Sequence, residues 1–101
     1  MVYMYIWSYK INPSYVDEFE KEYGANGKWS QLFQKSPHYH ETILLKNSDH
    51  PHSYRTIDIW DNFDACNDFK LDNKQEFDEI DKYCERFTHK EQFEGNFERI
   101  N

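Results

Sequence analysis

Asp58 is placed among rings. In the run Tyr54-Arg55-Thr56-Ile57-Asp58-Ile59-Trp60, the two-residue period of a strand puts Tyr54, Thr56, Asp58 and Trp60 on one face and Arg55, Ile57 and Ile59 on the other. Desolvation by aromatic neighbours pushes a carboxyl toward its neutral form, the direction a general base working near neutral pH needs. The same placement also suits a structural carboxylate that accepts hydrogen bonds from a neighbouring Tyr, Trp or backbone group. A second group with chemical potential is the set His38, His40, His50 and His52, four imidazoles within 15 residues. A metal site would need a third ligand and a supporting shell, and His50-Pro51-His52 reads as an exposed turn, so no metal is assigned. His40, with His38 as its alternate, is instead a candidate proton shuttle at a pocket rim. Cys66 and Cys84 read as buried small hydrophobes. On one continuous helix they would stand about 27 Å apart and could not pair.

These side chains are carried by a simple succession of elements. Residues 2–11 alternate as a strand, with Tyr3, Tyr5, Trp7 and Tyr9 on one face and Val2, Met4, Ile6 and Ser8 on the other. Asn12-Pro13 ends it and opens a helix presenting Tyr15, Val16, Phe19 and Tyr23, with Ser14 and Asp17 as an alternative cap. Gly24 and Gly27 break that helix, and a short second piece carries Trp29, Leu32 and Phe33 before Ser36-Pro37. Trp29 is placed to close one end of a pocket or to pack there. Tyr39 to Lys46 is strand-like, with Thr42 and Leu44 set against Tyr39, Glu41, Ile43 and Leu45. The polar segment 47–52 joins it to the Tyr54–Trp60 strand as a hairpin. A helix to about Leu71 carries Phe63, Cys66 and Phe69. Asn73 with Glu76 has the form of a capping box for a last helix bearing Phe77, Ile80, Cys84 and Phe87. Residues 92–100 read as a final strand interrupted at Gly95.

The order β-α-β-β-α-β is the ferredoxin-like α+β pattern, an antiparallel sheet with helices on one face. Both faces of the first and third strands look built for burial, and one helical layer covers only one. In a single domain spanning 1–101, a second copy of the chain is the natural cover for the other, which predicts a homodimer through sheet faces with Arg55 at the interface.

Composition agrees with a thin, ring-rich core. Hydrophobic residues make up 38% of the 101, and half of these are aromatic: 8 Phe, 8 Tyr and 3 Trp. Rings with polar tips suit pockets and interfaces. The net charge is -7, with twelve Asp/Glu against six Lys/Arg in residues 61–101. An acidic surface without a basic stripe disfavours nucleic acid and anionic membranes as partners. No apolar run approaches a membrane span, the first residues lack the pattern of a signal peptide, and there is no disulfide framework; the expectation is a cytoplasmic chain.

Taken in order, the segments Tyr23-Gly24-Ala25-Asn26-Gly27-Lys28-Trp29-Ser30-Gln31-Leu32-Phe33, Thr42-Ile43-Leu44-Leu45, Tyr54 to Trp60, and Leu71 to Phe97 with Thr88-His89-Lys90-Glu91 and Gly95 resemble the antibiotic biosynthesis monooxygenase domain family over nearly the whole chain. The resemblance implies a dimeric α/β barrel with a pocket between each sheet and its own helices. It also implies one of the family's activities, among them cofactor-independent oxygenation of polyketide anthrones or quinols and degradation of haem. The haem-degrading branch uses an Asn on the first strand, a Trp ending the third strand and a His on the last helix. Only the Trp is matched, by Trp60; Trp7 occupies the Asn position and residues 61–88 hold no His. The reading is therefore a monooxygenase-type oxidoreductase that needs no cofactor and acts on a small aromatic or quinol-type substrate. Asp58 and His40 are its catalytic candidates, and Tyr5, Trp7, Tyr9, Trp29 and Trp60 its substrate-binding ones. Its rivals are a non-catalytic small-molecule-binding dimeric module and an isomerase or cyclase using the same pocket.

Overall fold

A computed structural model describes residues 2–101. The strands are β1 (Tyr3–Ile11), β2 (Tyr39–Lys46), β3 (Ser53–Trp60) and β4 (Thr88–Glu98). The helices α1 (Val16–Tyr23) and α2 (Lys28–Phe33) follow β1, and α3 (Phe63–Asp72) and α4 (Lys74–Cys84) follow β3. The strands form one antiparallel sheet in the order β2-β3-β1-β4, the ferredoxin-like α+β arrangement.

Local chemistry sets the boundaries. Asn12, and not Ser14, caps the first helical turn: its Oδ1 accepts the Ser14 N–H at 3.0 Å, and Pro13 follows with a φ suited to that turn. Between α1 and α2 the chain folds tightly back on itself. A Cβ at Gly27 would lie 2.2 Å from the Glu22 carbonyl oxygen, so only glycine fits there. The Asn62 side chain caps α3 by accepting the Ala65 N–H at 2.8 Å.

Two sequence expectations about these elements are corrected. The capping box at Asn73 and Glu76 does not form, because the Asn73 side chain donates backward to the Phe69 carbonyl at 2.9 Å and closes α3 instead of opening α4. Cys66 and Cys84 lie on separate helices, as the sequence reading has them, and they fall in different core clusters. The final strand begins at Thr88, four residues earlier than its side-chain pattern implies, and ends at Glu98. Its irregularity does fall beside Gly95, whose φ of +134° accompanies a register shift against Ile6 and Trp7.

The buried residues form two groups on the helical side of the sheet. One holds Tyr9, Ile11, Phe19, Tyr23, Tyr54, Cys84 and Phe87. The other holds Tyr3, Tyr5, Leu32, Phe33, Trp60 and Cys66. Trp7, Trp29 and Ile80 pack against both. Phe63, expected on the buried side of α3, is 51% exposed, with its ring set edge-to-face against that of Tyr3. Across the opposite sheet face, the ladder sets Met4 beside Ile59 and Phe97, and Ile57 beside Ile6 and Ile43. Among the described residues, no helix is long and apolar enough to cross a membrane.

Candidate functional site

A cavity of about 290 Å³ opens between the sheet and the helices, on the seam between the two core groups. Its floor comes from strand residues whose faces the ladder fixes. Asp58 of β3 is the direct partner of Tyr5 on β1 and of Thr42 on β2, and Thr56 is the partner of Trp7. Opposed residues of an antiparallel pair share a face, so these groups converge as a consequence of register. Tyr23, Trp29, Phe33, Lys70 and Phe77 come down from the helices to form the walls, and Asp81 and Glu91 join the lining.

The carboxyl of Asp58 is buried, and burial lifts its pKa to about 6. The Thr42 hydroxyl, which donates to Oδ1 at 2.5 Å, opposes that rise, as do the Lys70 charge and the Tyr5 hydroxyl. Lys70 is the one cation lining the cavity among the described residues. Its Nζ lies 3.9 Å from the centroid of the Tyr5 ring and 5.5 Å from that of Phe77. Burial holds its pKa below the usual lysine value, against the pull of Cys66 and Asp58. Burial also keeps Tyr5 and Tyr9 protonated far above neutral pH, and raises Glu91 and Asp81 above the ordinary carboxylate range. The Cys66 and Cys84 thiols are pushed up to about 11 by burial, so neither is a nucleophilic thiolate near neutral pH. The Trp29 indole N–H is buried on the cavity wall and has no hydrogen-bond partner within normal geometry among the described residues.

Of the sequence candidates, Asp58, Tyr5, Trp7, Tyr9 and Trp29 meet at this cavity. Trp60 does not line it. That side chain is 0% exposed, packed against Phe33, Tyr39 and Phe69, and belongs to the core behind the floor. His40 lies outside as well. By strict alternation it would share the face of Thr42, but a register shift between Tyr39 and Glu41 leaves His40 without a partner on β3. The bulge turns Tyr39 inward in its place, correcting the face assigned to Tyr39 from the sequence, and His40 instead meets Asp61 at the surface. Asp61 accepts from His40 and His38, and these bonds hold its pKa below the usual range. Among the described residues no three His, Cys, Asp or Glu are arranged to hold a metal ion.

Sequence reasoning passed over Lys70, Thr42 and Tyr39. For Lys70 a signal existed: it stands four residues after buried Cys66, on the same side of α3. For Tyr39 there was none, since a bulge is invisible in alternation.

No protein-family model matches the chain, and no curated protein matches it. Solved structures do. A conserved protein from Methanosarcina mazei Go1 superposes with a TM-score of 0.73 at 10% identity, over 99% of this chain and 94% of that one. SnoaB, a cofactor-independent oxygenase from Streptomyces nogalater, solved as a point mutant, gives a TM-score of 0.71 at 17% identity over 99% and 94%. A structure named antibiotic biosynthesis monooxygenase gives 0.67 at 13% identity, covering 100% of both chains. Identities this low speak to fold, and at that level the resemblance read in the sequence is upheld: the chain has the ferredoxin-like α+β fold of structures named antibiotic biosynthesis monooxygenase.

Proposed function

We propose that this protein is a cofactor-independent monooxygenase-like enzyme acting on a small aromatic or quinol-type molecule held between sheet and helices, and that it works as a homodimer. The observation that carries the reading is Asp58, a buried carboxyl with a pKa lifted to about 6 at the floor of a ring-lined cavity. A base with that pKa is ionised at neutral pH, yet it is a stronger proton acceptor than an ordinary carboxylate.

The chemistry requires little else. Asp58 takes a proton from an activated C–H of the substrate, and the carbanion, which is its own reductant, transfers electrons to O2 and forms a C–O bond. The peroxide recovers the proton from Asp58 and eliminates water, leaving a carbonyl. Lys70 supplies a positive charge beside the developing anion, and Trp7, Trp29 and Tyr23 offer ring faces while excluding water. The fold shared with SnoaB, named a cofactor-independent oxygenase, supports the reading. His40, held by Asp61 outside the cavity, takes no part in it.

The second copy would cover the outer sheet face carrying Met4, Ile6, Ile57, Ile59 and Phe97.

The test is oxygen consumption by the purified protein with a panel of anthrones and hydroquinones, in buffer with chelator and without flavin or haem. Uptake above the spontaneous rate that Asp58→Asn abolishes is the expected result. Saturable binding without uptake would assign a non-catalytic binding module instead.

A further inference from the structure

Behind Asp58 runs a line of hydroxyls leading away from the cavity. Thr42 Oγ1 lies 2.5 Å from Asp58 Oδ1, and the Tyr39 hydroxyl lies 2.6 Å from Thr42 Oγ1, where either oxygen can be the donor. The Tyr39 oxygen is 3.4 Å from Ser30 Oγ, which itself donates to the Gly24 carbonyl at 3.0 Å. Thr42 and Ser30 are buried and Tyr39 is half-buried, so water is a poor substitute for any of these partners.

Each hydroxyl has one proton, and this fixes the direction of the chain. When Asp58 is ionised, Thr42 must donate to it, so Tyr39 donates to Thr42 while Ser30 donates to Gly24. When Asp58 is protonated, it donates to Thr42, Thr42 to Tyr39, Tyr39 to Ser30, and Ser30 still to Gly24. Every hydroxyl donates once in both states. No proton travels along the line; the O–H bonds of Thr42 and Tyr39 rotate.

We propose that Thr42, Tyr39 and Ser30 form a hydrogen-bond chain of reversible polarity, through which Tyr39 acts as a positioning residue that lets Asp58 gain and lose a proton without stranding a buried hydroxyl. The proposal rests on the reading of Asp58 as a group that changes its protonation state. The bulge at His40 gives it a structural basis, because without that extra residue Tyr39 would face away from Thr42. The other titratable groups toward Asp58 are Tyr3, Tyr5 and Tyr9 of β1 and Cys66 and Lys70 of α3, while Asp81 of α4 and Glu91 of β4 line the same cavity. The phenols and the thiol stay neutral below about pH 8, whereas Asp81 and Glu91 titrate with raised pKa values, so an Asp58→Asn control is required.

The experiment is carbon NMR of the full chain labelled at Tyr Cζ and Asp Cγ, from about pH 4 to about pH 8, with the Tyr39 signal assigned by Tyr39→Phe. The Tyr39 Cζ resonance is expected to move with the midpoint of Asp58 Cγ. That response should vanish in Asp58→Asn and Thr42→Val and persist in Thr42→Ser, which keeps the hydroxyl. A Tyr39 signal that stays flat while Asp58 titrates, or that still responds in Thr42→Val, overturns the chain and leaves Asp58 as a base intact. An Asp58 that does not titrate in this range overturns both.

Discussion

Thr42 and Asp58 are direct partners across the β2–β3 ladder, and the hydroxyl of one is hydrogen-bonded to the carboxylate of the other at the cavity floor. That single bond does not compensate for burial, since the Asp58 pKa still stands at about 6 against an ordinary 3.8. The fold therefore disfavours ionised Asp58, and the penalty is complete above pH 6 and disappears below pH 3.8. Through this group, stability should rise as pH falls across that window. Asp58→Asn should remove the dependence and stabilise the protein at pH 7 by up to about 3 kcal/mol. Urea titrations of both proteins at several pH values check this, and a variant that is less stable at pH 7 would contradict it.

Lys70 acts on the same carboxyl from the helical side. Lys70→Met keeps the aliphatic stem against the Tyr5 and Phe77 rings but removes the charge. The Asp58 midpoint should rise, by about one pH unit, because an opposite charge that favours the ionised form is gone. Carboxyl NMR reads the shift directly; an unchanged or lower midpoint would show that Lys70 does not act on Asp58.

Trp60 has a different task from the one its place at the end of β3 implies. Fully buried, it also holds an indole N–H that has no hydrogen-bond partner among the described residues. Trp60→Ala should cost about 3–5 kcal/mol through the space it opens. Trp60→Phe should cost markedly less, since it removes an unsatisfied donor along with the lost volume. Equal losses in denaturant unfolding would mean that the orphaned N–H carries no penalty.

The outer sheet face offers a test of the proposed homodimer. Ile57 sits at its centre, flanked by Ile6 and Ile43. Ile57→Lys should convert a dimer into a monomer in sedimentation-velocity runs while the far-UV spectrum is retained. A wild-type protein that sediments as a monomer would refute the dimer outright.

Much of this architecture was legible in the chain because the signals were periodic. Alternation in β1 and β3 located Tyr5, Tyr9 and Asp58, and the ladder brought them together as alternation requires. What escaped was whatever breaks a period. The bulge in β2 exchanged His40 for Tyr39, and at the helix boundary that the sequence did place, Asn73 turned out to bond backward and close α3 where it reads as a cap for α4. Trp60 escaped for another reason: a strand pattern gives the face of a residue, not its distance from the opening, and Phe33, Tyr39 and Phe69 close over it.

The seam between the two core groups carries a consequence for selectivity. Among the described residues, Trp7, Trp29 and Ile80 pack against both groups, and the two tryptophans also line the cavity. A guest bound as proposed would rest against this joint, and one too large for the cavity would either protrude through its mouth or lever the joint open. Levering it open loosens the packing that unites the halves of the domain. Guest size and domain cohesion would thus be coupled at this joint, and variants that loosen it should admit larger guests.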